Sequence, residues 1–171
     1  MTVRYYSGRD ALFIFSTGLY DSTGETVAGT GAQTVIKANS WSLQAEMGLL
    51  STTTLGDSNN TFIPDRVTYT GSATLLYYEN DAESNGDNLT GQLMSRLYKT
   101  GTGGVTKGDE AGFKLRIRGG SGVSNDEKHD VTLNGYLTSV SIGATVGDVI
   151  TAQVSFTANG ALMETSMAAL T

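Results

Sequence analysis

The sequence predicts a mainly β protein, an antiparallel β-sandwich or barrel with one flanking α-helix and long loops. Three observations lead to this fold class. Apolar and polar residues alternate along several segments, Ser and Thr make up roughly a quarter of the chain, and proline occurs once, at Pro64. The length of 171 residues is that of one domain. We therefore expect a single domain over residues 1–171, with residues 1–10 as an N-terminal arm.

Alternation with a period of two residues predicts most of the strands. The early ones are expected over residues 11–17, 33–45, 66–78 and 112–118. One helix interrupts them, because Leu93 and Leu97 lie one helical turn apart and Asn88 or Thr90 can cap its start. We expect this helix over about residues 89–99.

The C-terminal part of the chain predicts a hairpin. Residues 150–158 alternate without interruption, which is typical of a strand with one packed and one solvated face. Along residues 131–142 the apolar positions change face between Leu137 and Val140, as a β-bulge or bend would cause. The short segment 143–148 joins these two strands.

Composition excludes several classes of function. The chain has 11 Lys and Arg against 17 Asp and Glu, a formal charge of −6, and this acidic balance does not favour binding to nucleic-acid phosphates. It has no cysteine and one histidine, so thiol chemistry and histidine-rich metal cages are excluded. No apolar run is long enough for a signal peptide or a membrane helix, so we expect synthesis in a cytoplasm.

The densest polar cluster, residues 126–130, does not make a convincing catalytic site. Neighbouring strand residues point to opposite faces, so His129 and Asp130 would not converge on one point, and a solvated turn is expected there. The glycine-rich segment 101–108 lacks the Gly-Lys-Ser/Thr order of a phosphate loop around Lys107. We predict no catalytic residues, no cofactor and no metal ligands.

Three cations alternate along one predicted strand. The period of two places Lys114, Arg116 and Arg118 on one face and apolar residues on the other. In a monomer this row would be a solvated outer face, whereas in an assembly it would pair with carboxylates of a neighbouring subunit and set the register. Trp41 has two similar interpretations, as a core anchor or as an interface residue. These four residues are candidate interface residues.

Several motifs, taken in order, resemble the major tail tube proteins of long-tailed bacteriophages. They are Thr-Thr-Thr-Leu-Gly-Asp at 52–57, Phe-Ile-Pro at 62–64, Gly-Ser-Ala-Thr-Leu at 71–75, and the two closing segments at 135–143 and 154–160. The similarity spans roughly residues 35–162. The sequence of strands, long loop, strands, helix and final hairpin also matches that family.

The resemblance implies a structural function. Such subunits form hexameric rings whose sheets join into an inner β-barrel, and the rings stack into a hollow tube that guides the genome from capsid to host. It implies contacts with further copies of the chain, and with tape measure, baseplate or tail-tip, and tail terminator proteins. Viral DNA would pass through the lumen without specific binding, and no membrane would be involved. The expected location is the virion tail, after assembly in the host cytoplasm.

The long loop of residues 50–61 is the segment where we expect a further subunit contact. It exceeds the usual length of a hairpin connection and has little apolar content beyond Leu55. We expect it to become ordered against a neighbouring subunit or ring. Its candidate interface residues are Thr53, Thr54, Leu55, Gly56 and Asp57. From the net charge we also expect an acidic lumen.

Two other classes of function remain open. A carbohydrate-binding or adhesive β-sandwich module would present a row of exposed aromatic residues, for which Tyr69, Tyr77 and Tyr78 are the only local cluster. A small β-fold hydrolase would need His129 or a pair of carboxylates as catalytic groups.

Overall fold

The computed structural model describes residues 11–27, 33–54, 59–77, 89–118 and 129–165. One α-helix, α1 (Leu89–Met94), and one 3-10 turn, Lys107–Asp109, lie between the fourth and fifth strands. The strands are β1 (Leu12–Ser16), β2 (Gln33–Ile36), β3 (Ala38–Ser51), β4 (Phe62–Leu76), β5 (Ala111–Arg118), β6 (His129–Gly143), β7 (Thr151–Ala158) and β8 (Glu164–Thr165). The N-terminal arm predicted for residues 1–10 lies outside the described residues.

The strands pair in the order β2-β1-β5-β6-β7-β4-β3, all antiparallel, and β8 pairs with the first half of β6. Two long segments change partners along their length. β6 pairs with β5 as far as Gly135 and with β7 from Gly135 onward, while β2 and β3, separated by Lys37 alone, pair with β1 and β4. The strands form one continuous antiparallel sheet folded into two layers, which confirms the mainly β fold class with one helix. We call the layer of β2, β1, β5 and the start of β6 the first sheet, and the layer of the end of β6, β7, β4 and β3 the second sheet.

The core lies between the two sheets and centres on phenylalanine rings. Phe113 of the first sheet stacks on Phe156 of the second with ring centroids 4.6 Å apart, and Phe13 packs at 6.0 Å from Phe156. Leu93 of α1 completes this cluster and is fully buried. These side chains occupy alternate positions of their strands, so the period of two in the sequence corresponds to burial on one face.

β6 passes from one sheet to the other at a glycine followed by a bulge. A Cβ atom at Gly135 would lie 2.2 Å from the backbone oxygen of Thr157, so no other residue fits this crossing without moving the backbone. The pairing register with β7 then shifts between Leu137 and Ser139. This shift confirms the bulge that the change of apolar face predicts.

The helix is shorter than the sequence predicts, because it ends at Met94 rather than near residue 99. Its last turn tightens, with the N–H groups of Arg96 and Leu97 bonded to carbonyls three residues back. The guanidinium of Arg96 donates to the carbonyls of Thr17 and Gly108, both at 3.0 Å. These tertiary contacts direct the chain away from the helix axis while Leu97 still packs on the core.

Gly71 is expected to be necessary where β4 passes under the Phe156 ring. A Cβ there would lie 2.3 Å from the ring and 2.8 Å from the backbone oxygen of Ser42, and the stacked Phe113 holds the ring in place. Gly71→Ala should lower the free energy of unfolding by about 1–3 kcal/mol in a denaturant titration, the usual cost of overpacking. Gly103→Ala is the control, since its Cβ would meet nothing within 4 Å, and it should change stability by less than about 0.5 kcal/mol. Equal effects of the two variants would contradict this account of Gly71.

Candidate assembly surfaces

The second sheet ends in two strand edges that have no partner strand among the described residues. β3 pairs with β4 alone, and β6 beyond Gly135 pairs with β7 alone. On the β6 edge, the Val140 carbonyl accepts a hydrogen bond from the Tyr98 hydroxyl at 3.0 Å. The carbonyl therefore faces away from β7. Such edges present rows of N–H and C=O groups that can pair with another chain.

β3 and β4 extend beyond the rest of the sandwich as a two-stranded hairpin, which we call the arm (residues 45–51 and 62–69). β7 reaches only Thr70 on β4, so the arm has no third strand. The sequence predicts strands over 33–45 and 66–78. In the structure the first is divided at Lys37 and continues to Ser51, and the second starts earlier, at Phe62, and ends at Leu76. The hairpin stays paired further because the Thr52 N–H donates to the Thr61 carbonyl at 2.9 Å, beyond the last strand residues.

Large apolar side chains of the arm remain uncovered. Each is about half exposed, between 44% and 57%. An isolated two-stranded hairpin is at best marginally stable in water, and clustered exposed apolar residues mark interaction surfaces. A partner surface is therefore expected to cover the arm. These side chains are Met47, Leu49, Leu50, Phe62, Ile63 and Val67.

A second apolar surface lies at the opposite end of the same sheet. The arm is at the start of β4, whereas the end of β4, Leu76, pairs with Thr151 beside the β6–β7 connection. We call this connection the tip (residues 142–150). The exposed apolar residues of the tip are Ile142, Val146, Val149 and Ile150.

The outer face of the first sheet is covered by the subunit's own residues 18–27. Lys114 is buried there, with Nζ donating to the Gly24 carbonyl at 2.8 Å and lying 5.1 Å from the centre of the Tyr20 ring. The Asn134 side chain binds both the N–H and the C=O of Tyr20 at 2.8 Å. Burial is the main cause that raises the pKa of the Tyr20 hydroxyl, which stays neutral beside Lys114.

Arg116 also has its partner inside the subunit. Its Nε and Nη2 atoms each lie 2.6 Å from one carboxylate oxygen of Asp130, a bidentate ion pair. The side chain of Arg118 lies outside the described residues. Lys114 is therefore buried under residues 18–27 and Arg116 is paired within the subunit, and the assignment of Lys114, Arg116 and Arg118 to a subunit contact stays a prediction.

Trp41 lies on β3, the strand that forms one of the open edges. Its ring is half-buried and packs against the core, as expected for a core anchor. Its buried indole N–H has no hydrogen-bond partner among the described residues. A buried unpaired donor costs about 1–3 kcal/mol, and the folded subunit carries this cost at Trp41. The interface role of Trp41 stays a prediction.

Of the predicted loop contacts, the structure describes Thr53 and Thr54. The Thr53 hydroxyl accepts a hydrogen bond from the Thr61 N–H at 3.1 Å and so helps to close the base of the loop. Leu55, Gly56 and Asp57 lie outside the described residues. The contact of this loop with a neighbouring subunit or ring stays a prediction.

The described residues do not form the chemical sites of the alternative functions. Of the solvated turn predicted at residues 126–130, the structure describes His129 and Asp130, which are instead buried at the start of β6, where Asp130 pairs with Arg116. No group of three or more His, Asp or Glu in the described ranges could hold a metal ion. Of the tyrosine cluster, Tyr69 and Tyr77 are partly buried and eight residues apart, so these two do not form an exposed aromatic row, and Tyr78 lies outside the described residues. No helix of the described part is long and apolar enough to cross a membrane.

Comparison with solved structures shows the fold of tail tube proteins. The chain is similar to the subunit of the SPP1 tail tube, with 15% identity and a TM-score of 0.60 over 92% of this chain and 78% of that one. It is also similar to a chain in the virion of a native gene transfer agent particle (11% identity, TM-score 0.54) and to one in the tail of the empty particle, which has C6 symmetry (12%, 0.55). Each of these two alignments covers 92% of this chain and 97% of the other. No protein-family model matches the sequence, and no curated protein does. The resemblance noted from the sequence is confirmed at the level of the fold.

Proposed function

We propose that this chain is the subunit of a phage tail tube, in which hexameric rings stack around a channel for the genome. The observation that carries the proposal is the four-stranded second sheet with an open edge on each side, within a fold similar to tail tube subunits. By this proposal the chain is a structural component of the virion. Its other partners would be the tape measure, tail-tip or baseplate, and terminator proteins.

Rings would close by pairing the open edge of β3 with the β6 edge of the next copy. Such a contact joins two different edges, so it repeats head to tail from copy to copy. The ring closes when a whole number of these equal rotations makes one full turn. It would also remove every exposed edge of the second sheet. We expect each contact to bury more than about 1,000 Å², the usual size of a biological interface.

Stacking of rings would use the arm and the tip. The two apolar surfaces lie at opposite ends of one sheet, so the arm of one subunit would meet the tip side of a subunit in the adjacent ring. Different surfaces that meet along an axis without closing give an open-ended filament. The loop of residues 50–61 at the end of the arm would take part in this contact.

Electron microscopy of the purified protein is the direct test. Across a concentration series, light scattering should show growth above a threshold, and images should show rings or hollow tubes. A strict monomer at millimolar concentration, with no tubes under any condition, would contradict the proposal. Glycan binding by such a monomer would instead support the carbohydrate-binding alternative.

A further inference from the structure

One face of the second sheet is both uncovered and free of charged side chains over most of its length. The face opposite the core carries a transverse row in which Ser42, Ser72, Ser155 and Ser139 lie side by side on four neighbouring strands. The Ser42 and Ser72 hydroxyl oxygens are 2.9 Å apart. No strand of the described residues lies over this row, unlike the first sheet, whose outer face residues 18–27 cover.

The rows on either side have the same chemistry. Thr74 pairs with Gln153 in one of them, and Thr70 pairs with Thr157 in the other, where Gln44 extends the row onto β3. We call this surface the hydroxyl face (the outward-facing Ser, Thr and Gln of β3, β4, β7 and the end of β6). It includes a shallow depression of about 260 Å³ lined mainly by Ser, Thr and Gln, together with Gly71 and Phe156.

We infer that the hydroxyl face lines the channel of the tube and gives it an uncharged, hydrated wall. The inference rests on the proposed function. Its geometric basis is that the second sheet has the first sheet and α1 packed on its other face. When the second sheets of neighbouring subunits join into a closed wall, the circumference is larger outside the wall than inside it. The first sheet and α1 therefore have more room on the outside. The uncovered face must then turn towards the axis.

The dimensions agree with this orientation. Six copies of a four-stranded sheet, with strands about 4.8 Å apart and tilted by about 40°, enclose a barrel roughly 48 Å across between backbones. Side chains on the inner surface leave a channel wide enough for a DNA duplex. If the first sheet faced the channel instead, the radius of the channel would be smaller by about 10 Å, the spacing of two packed sheets.

An uncharged wall differs from the acidic lumen expected from the net charge of the chain. Lys114 bonds to Gly24 and Arg116 pairs with Asp130, both on the first sheet, so they do not reach this face. Beyond its three rows the face continues into the arm, where it becomes charged: Glu46 lies opposite Thr68, Asp65 lies against Gly48, and Arg66 alternates onto the same face as Thr68. The uncharged wall is therefore that of the three rows. Hydroxyl and amide groups hold water and offer no cation to phosphate, so DNA would not be retained by the ion pairing that dominates its binding to proteins. Passage would then depend little on salt.

Single cysteines test which face is inside, because the chain has none of its own. In long assembled tubes, Ser72→Cys should react with a small maleimide but not with maleimide on gold particles wider than the channel. Ser22→Cys, exposed in the segment that covers the outer face of the first sheet, should react with both, and unassembled subunits of either variant should react with both. Equal gold labelling of both variants in intact tubes would overturn the inference. Absence of tubes from the wild-type protein would instead overturn the proposed function.

Lysines on the same face test the consequence for DNA. Tubes of the variant Ser72→Lys with Ser155→Lys should bind a short fluorescent DNA duplex at least tenfold more tightly than wild-type tubes, and added salt should reverse this binding. The bound duplex should resist a nuclease fixed to large beads, whereas any duplex held by Ser22→Lys tubes should be digested. Unchanged DNA binding in the double variant would overturn the inference.

Discussion

Replacing Ile142 with proline is expected to give a folded subunit that forms neither rings nor tubes. In an antiparallel strand the N–H and C=O of one residue point to the same side, and they alternate along the strand. The Val140 carbonyl faces the open edge, where Tyr98 binds it, so the N–H of Ile142 faces that edge as well. Ile142→Pro removes this donor from the edge and leaves the β6–β7 hydrogen bonds in place.

The subunit itself should tolerate this change. Ile142 is 47% exposed near the end of β6, so the free energy of unfolding should fall by less than about 1 kcal/mol. The matched control is Ile142→Thr, which keeps the N–H and a β-branched side chain and should still form rings. Light scattering and electron microscopy measure assembly, and denaturant titration measures stability. Tubes formed by the proline variant would contradict the pairing of edges.

The fold was predictable because its determinants are local. Alternation along residues 150–158 marks β7 without knowledge of its neighbours, and the change of apolar face after Leu137 locates a bulge that the pairing register confirms. The helix end was less predictable, because the contacts of Arg96 with Thr17 and Gly108 depend on segments distant in sequence. Helical spacing alone contains no information about such contacts.

The candidate site was predictable only in part. The alternation of the sequence with a period of two residues correctly placed Lys114 and Arg116 on one face of the strand. It could not show that residues 18–27 cover this face, or that Asp130 supplies the carboxylate that pairs with Arg116. The apolar arm was missed, although adjacent Leu49 and Leu50 place leucines on both faces of one strand, which a half-buried strand does not need. That pattern is a signal in sequence for a hairpin with exposed apolar side chains on both faces.

Polar replacement on the arm is expected to stop the stacking of rings while ring closure continues. Leu50 and Ile63 are directly opposite each other on the arm, and both are about half exposed. Leu50→Thr with Ile63→Thr keeps residues that suit a strand, so the unfolding free energy of the subunit should change by less than about 1 kcal/mol. Burial of the remaining exposed half of each side chain against a neighbour would contribute about 1 kcal/mol.

The loss of binding free energy at each arm adds across all the arms of one ring, because a ring docks through several equal contacts at once. We therefore expect single rings and no tubes from the double variant in electron micrographs, at concentrations where the wild type forms long tubes. The matched control is Val27→Thr with Val105→Thr, which removes two apolar side chains of similar exposure, 44% and 47%, away from the arm and should leave tube growth unchanged. Tubes of normal length from the arm variant would show that the apolar side chains of the arm do not carry the contact between rings.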